Sequence, residues 1–277
     1  MSNQDLEEKL VQYSHRNLDA KKTWYSKVVN AYDKVRPRYS DRLIDKAIQY
    51  SNLSPNAKLL EIGCGVGIAT VSLAARGYQI EAIEPNAEAC AIARQNCSSY
   101  PSVEFSQTTL EEWKVKPSQY DAVVAATSIH WVNPEIGYPK LAQALKDNGS
   151  LILLWNAGLH PTLEVRELLK PIYQQFAPTL EPSQPREEEK ESLAALGQKV
   201  IDSGYFHSVF NTETIVNVTY SIEDYLLLLS TYSPYIALET QQREILFNAI
   251  ASTLQQHHIQ KLSLYYLSML QVFRLEV

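Results

Sequence analysis

The chain has 277 residues, of which 45% are hydrophobic and 20% charged, and its formal net charge is −6 at pH 7. This composition supplies enough apolar material for a core and excludes wholesale disorder. The acidic balance, with no Lys/Arg run longer than Lys21-Lys22, argues against nucleic acid as a partner. We therefore expect one globular domain over 1–277.

The first five residues are polar and no apolar stretch follows them, so we expect no secretory signal. The longest apolar runs, at 151–155 and 225–229, are too short to span a bilayer, which predicts no membrane partner. The three cysteines form neither a disulfide framework nor a metal pattern. Together these features favour the cytoplasm.

The first half of the chain predicts two helices and then an alternation of strands and helices. One helix is expected over 5–34, ended before Pro37 because proline disfavours helix at the preceding residue, and another over 40–51. Five strands are then expected, at 59–62, 79–84, 103–105, 120–125 and 150–155. Helices are expected between them at 68–75, 86–95 and 138–146. Such alternation is typical of a parallel sheet with right-handed crossovers.

After Asn156 the alternation stops. Helices are expected over 163–176, 192–204, 222–229 and 239–257. The segment 178–191 is predicted to be a surface loop, in which Glu187 to Glu189 form a solvated charge run. Strands are expected at 210–220 and 262–275, with a helix remaining possible for the last segment.

Three of the nine glycines, Gly63, Gly65 and Gly67, lie within five positions, between a predicted strand and a predicted helix. A turn at the end of the first parallel strand opens the crevice where such sheets bind ligands, and glycine lets the backbone approach them. The spacing G-x-G-x-G, with Glu61 two residues before it, differs from the dinucleotide pattern G-x-G-x-x-G and from the phosphate loop of nucleotide triphosphatases.

Glu84 ends the second predicted strand, 17 residues after Gly67. A carboxylate at that position can accept hydrogen bonds from both hydroxyls of a ribose and would repel a 2′-phosphate. The alternative is that Glu84 caps the helix that begins at Asn86. The glycine cluster and the acid together favour a ligand that carries an unphosphorylated ribose.

These segments resemble class I S-adenosylmethionine-dependent methyltransferases. Glu61 to Gly67 is similar to motif I of that class, and Ala82-Ile83-Glu84-Pro85-Asn86 to its second-strand acid. The segment 103–113 lies where the family holds the adenine, and 120–132 resembles the fourth strand and the loop after it.

A narrower resemblance is to the small-molecule branch of the class. Tyr32-x-x-x-Arg36-Pro37-x-Tyr39 looks like its N-terminal lid segment. Leu110-x-x-Trp113 and His130-Trp131-Val132 are similar to trans-aconitate methyltransferases and their relatives.

The resemblance implies a fold of the α/β class: a Rossmann-like sheet of seven strands with the last one antiparallel, helices on both faces, and helical insertions over the cleft. It divides the chain into a lid segment (1–39), a cofactor-binding core (40–156), helical insertions (157–204 and 221–259) and C-terminal strands (205–220 and 260–277).

The resemblance also implies S-adenosylmethionine as cofactor and S-adenosylhomocysteine as product. The glycines would border the methionine and ribose, Glu84 would hold the ribose, and Leu110 would offer its backbone N–H to the adenine. Thr109 departs from the family, which commonly has an Asp there. The implied cofactor-binding residues are Tyr32, Arg36, Tyr39, Glu61, Gly63, Cys64, Gly65, Gly67, Glu84, Pro85, Thr109, Leu110, Glu111, Ala125 and Ala126.

His130 is the leading candidate for a general base or for binding the acceptor, because a histidine pKa suits both roles. The alternative is that it only caps the loop after the fourth strand. Tyr32, Arg36 and Tyr39 either close over the methionine carboxylate or simply pack between helices. The expected acceptor pocket is lined by Trp131, Trp155, Asn156 and Tyr232.

The sequence therefore predicts in-line methyl transfer to an oxygen or nitrogen of a small molecule, with carboxylic acids among the candidate acceptors, by a monomer or homodimer. Three alternatives stay open. A nicotinamide dehydrogenase would need the G-x-G-x-x-G turn. A binding protein could retain the cofactor fold without catalysis. A nucleic-acid methyltransferase would want a basic face or an Asn-Pro-Pro-aromatic loop after the fourth strand.

Overall fold

The computed structural model describes residues 18–180 and 186–276, and the start of the long N-terminal helix predicted from residue 5 lies outside them. Eight strands form one sheet in these residues. They are β1 (Lys58–Ile62), β2 (Gln79–Ile83), β3 (Val103–Ser106), β4 (Tyr120–Ala126), β5 (Leu145–Asn156), β6 (His160–Pro161), β7 (Phe206–Ser221) and β8 (Lys261–Leu275).

Eleven α-helices and one 3₁₀ turn, Ile129–Trp131, surround the sheet in the described residues. The helices are α1 (Leu18–Thr23), α2 (Val29–Val35), α3 (Asp41–Tyr50), α4 (Ile68–Ala74), α5 (Ala87–Asn96), α6 (Pro134–Ala144), α7 (Leu163–Phe176), α8 (Arg186–Asp202), α9 (Ile222–Ser230), α10 (Ser233–Ile236) and α11 (Thr240–Gln256). None of them is long and apolar enough to cross a membrane.

The strand order is β3-β2-β1-β4-β5-β8-β6, and β7 also pairs with β8. The pairs among β1 to β5 are parallel, whereas β8 runs antiparallel to β5, β6 and β7. This confirms the predicted fold class, although β6, a strand of two residues, adds an eighth strand to the seven expected. The order reverses between β1 and β4, so a crevice opens beyond the carboxyl ends of these strands.

Both faces of the sheet are covered, because neighbouring residues of a strand point to opposite sides. On one face Leu60 and Val123 pack with α6 and α8. On the other face Leu59 and Val124 pack with α3, α4 and α5. A third apolar cluster joins α7, α9, α10 and α11 to the first half of β8. The continuous apolar runs of the central strands therefore reflect burial on two sides.

The helix predicted over 5–34 is interrupted in the described residues, where α1 ends at Thr23 and α2 begins at Val29. Other boundaries also differ from the prediction, and β7 begins at Phe206 rather than at residue 210. Helix α6 begins at Pro134 rather than at Tyr138, because Asn133 caps it by accepting the Glu135 N–H at 3.0 Å and proline suits the first helical position. Strand β5 begins at Leu145 rather than at Ser150, and Leu145 pairs with Tyr120 on β4.

The predicted loop 178–191 is wrong over its second half, since α8 begins at Arg186. Glu189 is also not a solvated charge. Its carboxylate accepts the Gly158 N–H at 2.8 Å and lies 2.8 Å from His160 Nε2. A charge run at the start of a helix complements the helix dipole, so three successive acids there are consistent with α8 as well as with a loop.

A buried carboxylate on β2 holds the segment that follows β3. Glu81 accepts hydrogen bonds from Trp113 Nε1 at 3.1 Å and from Lys116 Nζ and Tyr120 OH at 2.6 Å each. Burial raises the pKa of Glu81, but the bonds from Lys116, Tyr120 and Trp113 outweigh it and lower the pKa below its usual value. The carboxylate is therefore ionised and fully engaged at neutral pH.

We expect Glu81→Ala to lower the free energy of unfolding by about 3 kcal/mol, because it leaves the buried Tyr120 hydroxyl and Trp113 N–H without their acceptor. Glu104, which lies opposite Glu81 on β3 and is exposed, provides the control. Glu104→Ala should change stability by less than about 0.5 kcal/mol. Urea denaturation measures both, and equal small effects would show that the Glu81 network contributes nothing.

Candidate functional site

A cleft lies beyond the carboxyl ends of the parallel strands, where the strand order reverses. Loops after β1, β2, β3, β4 and β5 line it, and the segment 25–39 covers it. The lining residues include Tyr25, Val29, Tyr32, Arg36, Tyr39, Gly63, Cys64, Gly65, Glu84, Pro85, Asn86, Thr108, Thr109, Leu110, Glu111, Ala126, Thr127, Ser128, His130, Trp131 and Asn156.

The turn after β1 depends on glycine. Gly63 has φ +61°, and a Cβ added there would lie 2.8 Å from the Cβ of Ser128. Ser128 cannot easily retreat, because its hydroxyl donates to the Ile62 carbonyl at 2.6 Å. A side chain at position 63 would therefore be strained and would also collide with the loop after β4. Gly67 also has a positive φ, +86°, but it packs against Ala93 and does not line the cleft.

Glu84 crosses from β2 to this turn. It accepts the Gly65 N–H at 2.9 Å with one oxygen and the Asn86 N–H at 2.9 Å with the other. Burial raises the pKa of Glu84, and these two bonds from Asn86 and Gly65 oppose that rise. Helix α5 is capped instead by the Asn86 side chain, which accepts the Ala89 N–H at 2.8 Å. Glu84 thus faces the cleft, and Asn86, not Glu84, caps the N-terminus of α5.

Glu61 lies behind the turn and does not line the cleft. Its side chain is fully buried, and this burial raises its pKa to about 8, with Thr70 opposing the rise and Glu84 adding to it. Glu61 is therefore mostly protonated at neutral pH in the ligand-free protein. A positive charge brought close to the turn would favour its ionised form.

The loop after β3 forms the wall beside Glu84. The Thr108 N–H donates to the Glu84 carbonyl at 3.2 Å, which ties this loop to β2. The hydroxyl of Thr109 accepts the Glu112 N–H at 3.1 Å, so it is engaged within the loop. Thr109, where the resemblance implies an Asp, therefore has a local structural role here.

Arg36 is held between two aromatic rings. Its guanidinium carbon lies 4.8 Å from the Tyr32 ring centroid and 4.1 Å from that of Tyr232. Nε and Nη2 donate to the hydroxyl and the carbonyl of Thr231 at 2.8 and 2.9 Å. Tyr232 backs Arg36 from behind, and its hydroxyl accepts the Leu159 N–H at 2.9 Å. Arg36 and Tyr32 line the cleft, whereas Tyr232 does not.

Tyr39 and Asn156 join the covering segment to the strand ends. The Tyr39 hydroxyl lies 2.8 Å from Thr127 Oγ1, and burial raises its pKa well above the usual range. Asn156 Nδ2 donates to the Pro37 carbonyl at 3.1 Å, and Asn156 Oδ1 accepts from Ser268 at 2.8 Å. Two polar residues therefore close this end of the cleft.

His130 sits between two tryptophans, with ring centroids 5.6 Å from Trp131 and 5.9 Å from Trp155. Burial lowers its pKa to about 4, so the imidazole is neutral at pH 7. This differs from the expected ordinary histidine pKa. Trp131 lines the cleft and meets the edge of Tyr25 at 5.9 Å between ring centroids. Trp155 is only 2% exposed, binds Gln271 and lies outside the cleft.

The structure thus brings most of the predicted residues to one cleft, and places five of them outside its lining: Glu61, Gly67, Ala125, Trp155 and Tyr232. Ala125 is fully buried inside β4, where its side chain packs in the core. The lining residues that the sequence did not predict include Tyr25, Thr127 and Ser128. The last two follow β4 directly, so their place at a strand end was the signal that could have found them.

Residues 59–149 match the family described as "Methyltransferase domain". An uncharacterised methyltransferase of Mycobacterium tuberculosis is 31% identical over 144 residues, which cover 52% of this chain and 56% of that protein. A malonyl-[acyl-carrier protein] O-methyltransferase of Halalkalibacterium halodurans is 31% identical over 140 residues, covering 46% and 51%. The chain thus spans about half the length of these curated relatives.

The fold extends further than the sequence match. The solved structure of a putative type II methyltransferase from Anaeromyxobacter dehalogenans superposes with a TM-score of 0.63 at 17% identity, over 86% of this chain and 97% of that one. The sheet order and this superposition show a Rossmann-like fold of the kind that methyltransferases have. Within the chain, residues 59–149 belong to the methyltransferase domain family.

The pKa of Glu61 predicts how stability depends on pH. Because the folded pKa of about 8 exceeds the unfolded value near 4.5, this group makes the ligand-free protein less stable as the pH rises between them. Glu61→Gln should remove that contribution. The loss of unfolding free energy between pH 5 and pH 8 should therefore be smaller in Glu61→Gln than in the wild type, by a few kcal/mol. This follows from about 1.4 kcal/mol for each unit of pKa shift.

Denaturation of ligand-free protein at pH 5 and pH 8 measures this difference. Glu88→Gln is the control, because Glu88 is exposed and its substitution should leave the wild-type pH dependence in place. If Glu61→Gln and the wild type respond equally to pH, Glu61 is not protonated in the folded protein.

Proposed function

We propose that the protein transfers a methyl group from S-adenosylmethionine to an oxygen or nitrogen of a small molecule, with carboxylic acids among the candidate acceptors. The observation that carries this proposal is the contact between the glycine turn and Glu84. It places a carboxylate with spare lone pairs beside a stretch of backbone that a ligand can approach closely.

The residues of the cleft fit the parts of this cofactor. Glu84 accepts one backbone N–H on each oxygen, and a carboxylate has about four acceptor sites, so two remain for ribose hydroxyls. Leu110 lines the cleft beside Glu84 and supplies an apolar wall and a backbone N–H for the base. The covering segment supplies Arg36 as a cation for a carboxylate.

The bound cofactor would supply a methyl group on a sulfonium, which is already a good leaving system. The protein then has to hold the two reactants in line and exclude water, which can account for a large part of the acceleration. Trp131, Tyr25 and Tyr32 form an aromatic wall on the covering side of the cleft and serve that exclusion.

The acceptor side favours binding over proton removal. His130, with a pKa of about 4, is a weak base but can exchange hydrogen bonds as a neutral imidazole. This supports an acceptor that arrives as an anion or as a neutral amine and needs no strong base. The matched relatives include O-methyltransferases, which agrees with an oxygen acceptor.

The division of the chain is also part of the proposal. We infer that 1–39 acts as a lid, 40–156 binds the cofactor, 157–204 and 221–259 shape the acceptor pocket, and 205–220 and 260–277 complete the sheet. A monomer or homodimer, the absence of nucleic acid and membrane partners, and a cytoplasmic location remain predictions from composition.

Titration calorimetry with S-adenosylhomocysteine tests the cofactor. The wild type should bind it, and Glu84→Ala should weaken binding by about tenfold or more, because two charge-assisted hydrogen bonds to the ribose are lost. Glu88→Ala, an exposed neighbour on α5, should bind like the wild type. Binding of NAD with no binding of S-adenosylhomocysteine would refute the proposal.

Transfer of a labelled methyl group to a panel of carboxylic acids, phenols and amines identifies the acceptor class. For an acceptor that does not titrate between pH 5 and 8, we expect kcat/KM to show no histidine ionisation in that range, since His130 is already neutral. His130→Asn should raise KM without changing the shape of the pH profile. A rising limb near pH 6.5 that His130→Asn removes would make His130 a general base after all.

A further inference from the structure

Lys140 on α6 binds the loop that forms the base-side wall of the cleft. Its ammonium donates to three backbone carbonyls, those of Leu110 at 3.0 Å, Glu111 at 2.5 Å and Trp113 at 2.9 Å. An ammonium has three donors, so all of them are used on one short segment. No feature of the sequence singled out this lysine, because the two segments are about thirty residues apart.

The segment that Lys140 binds is a single helical turn. The Trp113 N–H donates to the Thr109 carbonyl at 2.9 Å, which closes the turn. The carbonyls that follow have no partners within such a turn, as at the end of a helix. A lysine at this end satisfies them and also opposes the negative end of the turn dipole.

The same turn fixes the backbone N–H of Leu110. The Thr109 carbonyl is held by the Trp113 N–H and by the Thr108 hydroxyl at 3.2 Å. Since the peptide group is planar and trans, the Leu110 N–H points away from that carbonyl. Leu110 is 4% exposed and lines the cleft, and its N–H meets no acceptor within the residues that the structure describes.

A buried N–H without a partner is costly, and a ligand that accepts from it would recover that cost. We propose that Lys140 is a positioning residue for base recognition: by gathering the three carbonyls it holds the turn in the conformation that presents the Leu110 N–H to a ring nitrogen of the cofactor's adenine. This rests on the proposed function, since it requires the adenine to lie at Leu110.

Lys140 also links the base side of the cleft to its acceptor side. Helix α6 starts directly after the turn that bears His130 and Trp131. The Asn133 N–H donates to the Glu111 carboxylate at 3.4 Å, a second contact between α6 and the same loop. On its other side the loop is held by Glu81 through Trp113. The turn is therefore held on one side by Glu81, through the Trp113 side chain, and on the other side by α6. Lys140 is the residue that binds the backbone carbonyls of the turn.

The test compares two ligands that differ only in the base. S-adenosylhomocysteine offers a ring nitrogen that accepts, whereas in S-inosylhomocysteine the corresponding N1 of hypoxanthine carries a proton. A site built on an N–H donor should prefer the first ligand strongly. In Lys140→Met we expect the Kd of S-adenosylhomocysteine to rise by about tenfold or more, and the preference between the two ligands to shrink.

Lys146→Met is the matched control, because Lys146 forms an exposed ion pair with Asp121 away from the cleft. It should leave both Kd values within twofold of the wild type. Lys140→Gln keeps one donating group and should fall between the wild type and Lys140→Met, and it carries the measurement if the methionine variant does not fold by circular dichroism.

A purely stabilising lysine would not alter the discrimination between the two bases. The proposal is therefore overturned if folded Lys140→Met keeps the wild-type preference between the two ligands. If only Lys140→Gln folds, the same result in that variant overturns it. Failure of the proposed function looks different. In that case the wild type itself would not bind S-adenosylhomocysteine.

Discussion

The cleft depends on the absence of a side chain at Gly63. Its φ of +61° and the 2.8 Å that would separate an added Cβ from Ser128 let the loops after β1 and β4 meet. In the same turn the Gly65 N–H lies 2.9 Å from the Glu84 carboxylate, and Glu61 is buried behind it. Two carboxyl groups, those of Glu61 and Glu84, lie near one short backbone segment, and burial raises the pKa of both.

This arrangement suits a ligand that brings hydroxyls and positive charge. Hydroxyls would occupy the remaining acceptor sites of Glu84, and a cation would stabilise the ionised form of Glu61. Such sites store unfavourable interactions in the ligand-free state, which binding then relieves. Burial is the main cause of the raised pKa values of Glu61 and Glu84.

The sequence predicted several strand-end residues that line the cleft, because their signals are local. Gly63, Glu84 and Leu110 each follow a strand of five residues or fewer, and the end of a parallel strand determines where such a residue lies. The residues that were misplaced have another cause. Trp155 lies near the same sheet edge, but its side chain points to the face packed by α8 and bonds to Gln271, 116 residues away. Tyr232 is placed by Arg36 and Leu159, and neither contact has a trace in the sequence around it.

The two sides of the cleft therefore differ in how they are built. The strand-end residues Gly63, Glu84 and Leu110 lie within 59–149, the part that matches the methyltransferase domain family. The covering side joins residues near the N-terminus to the helices after β7: Trp24 Nε1 donates to Ser233 at 3.1 Å, and Arg36 binds Thr231. The family match covers only residues 59–149, so it includes neither the segment 25–39 nor the helices after β7. The shape of the cleft therefore depends on two parts of the chain, of which only one lies within the family match, and the cover can differ between proteins that share the fold.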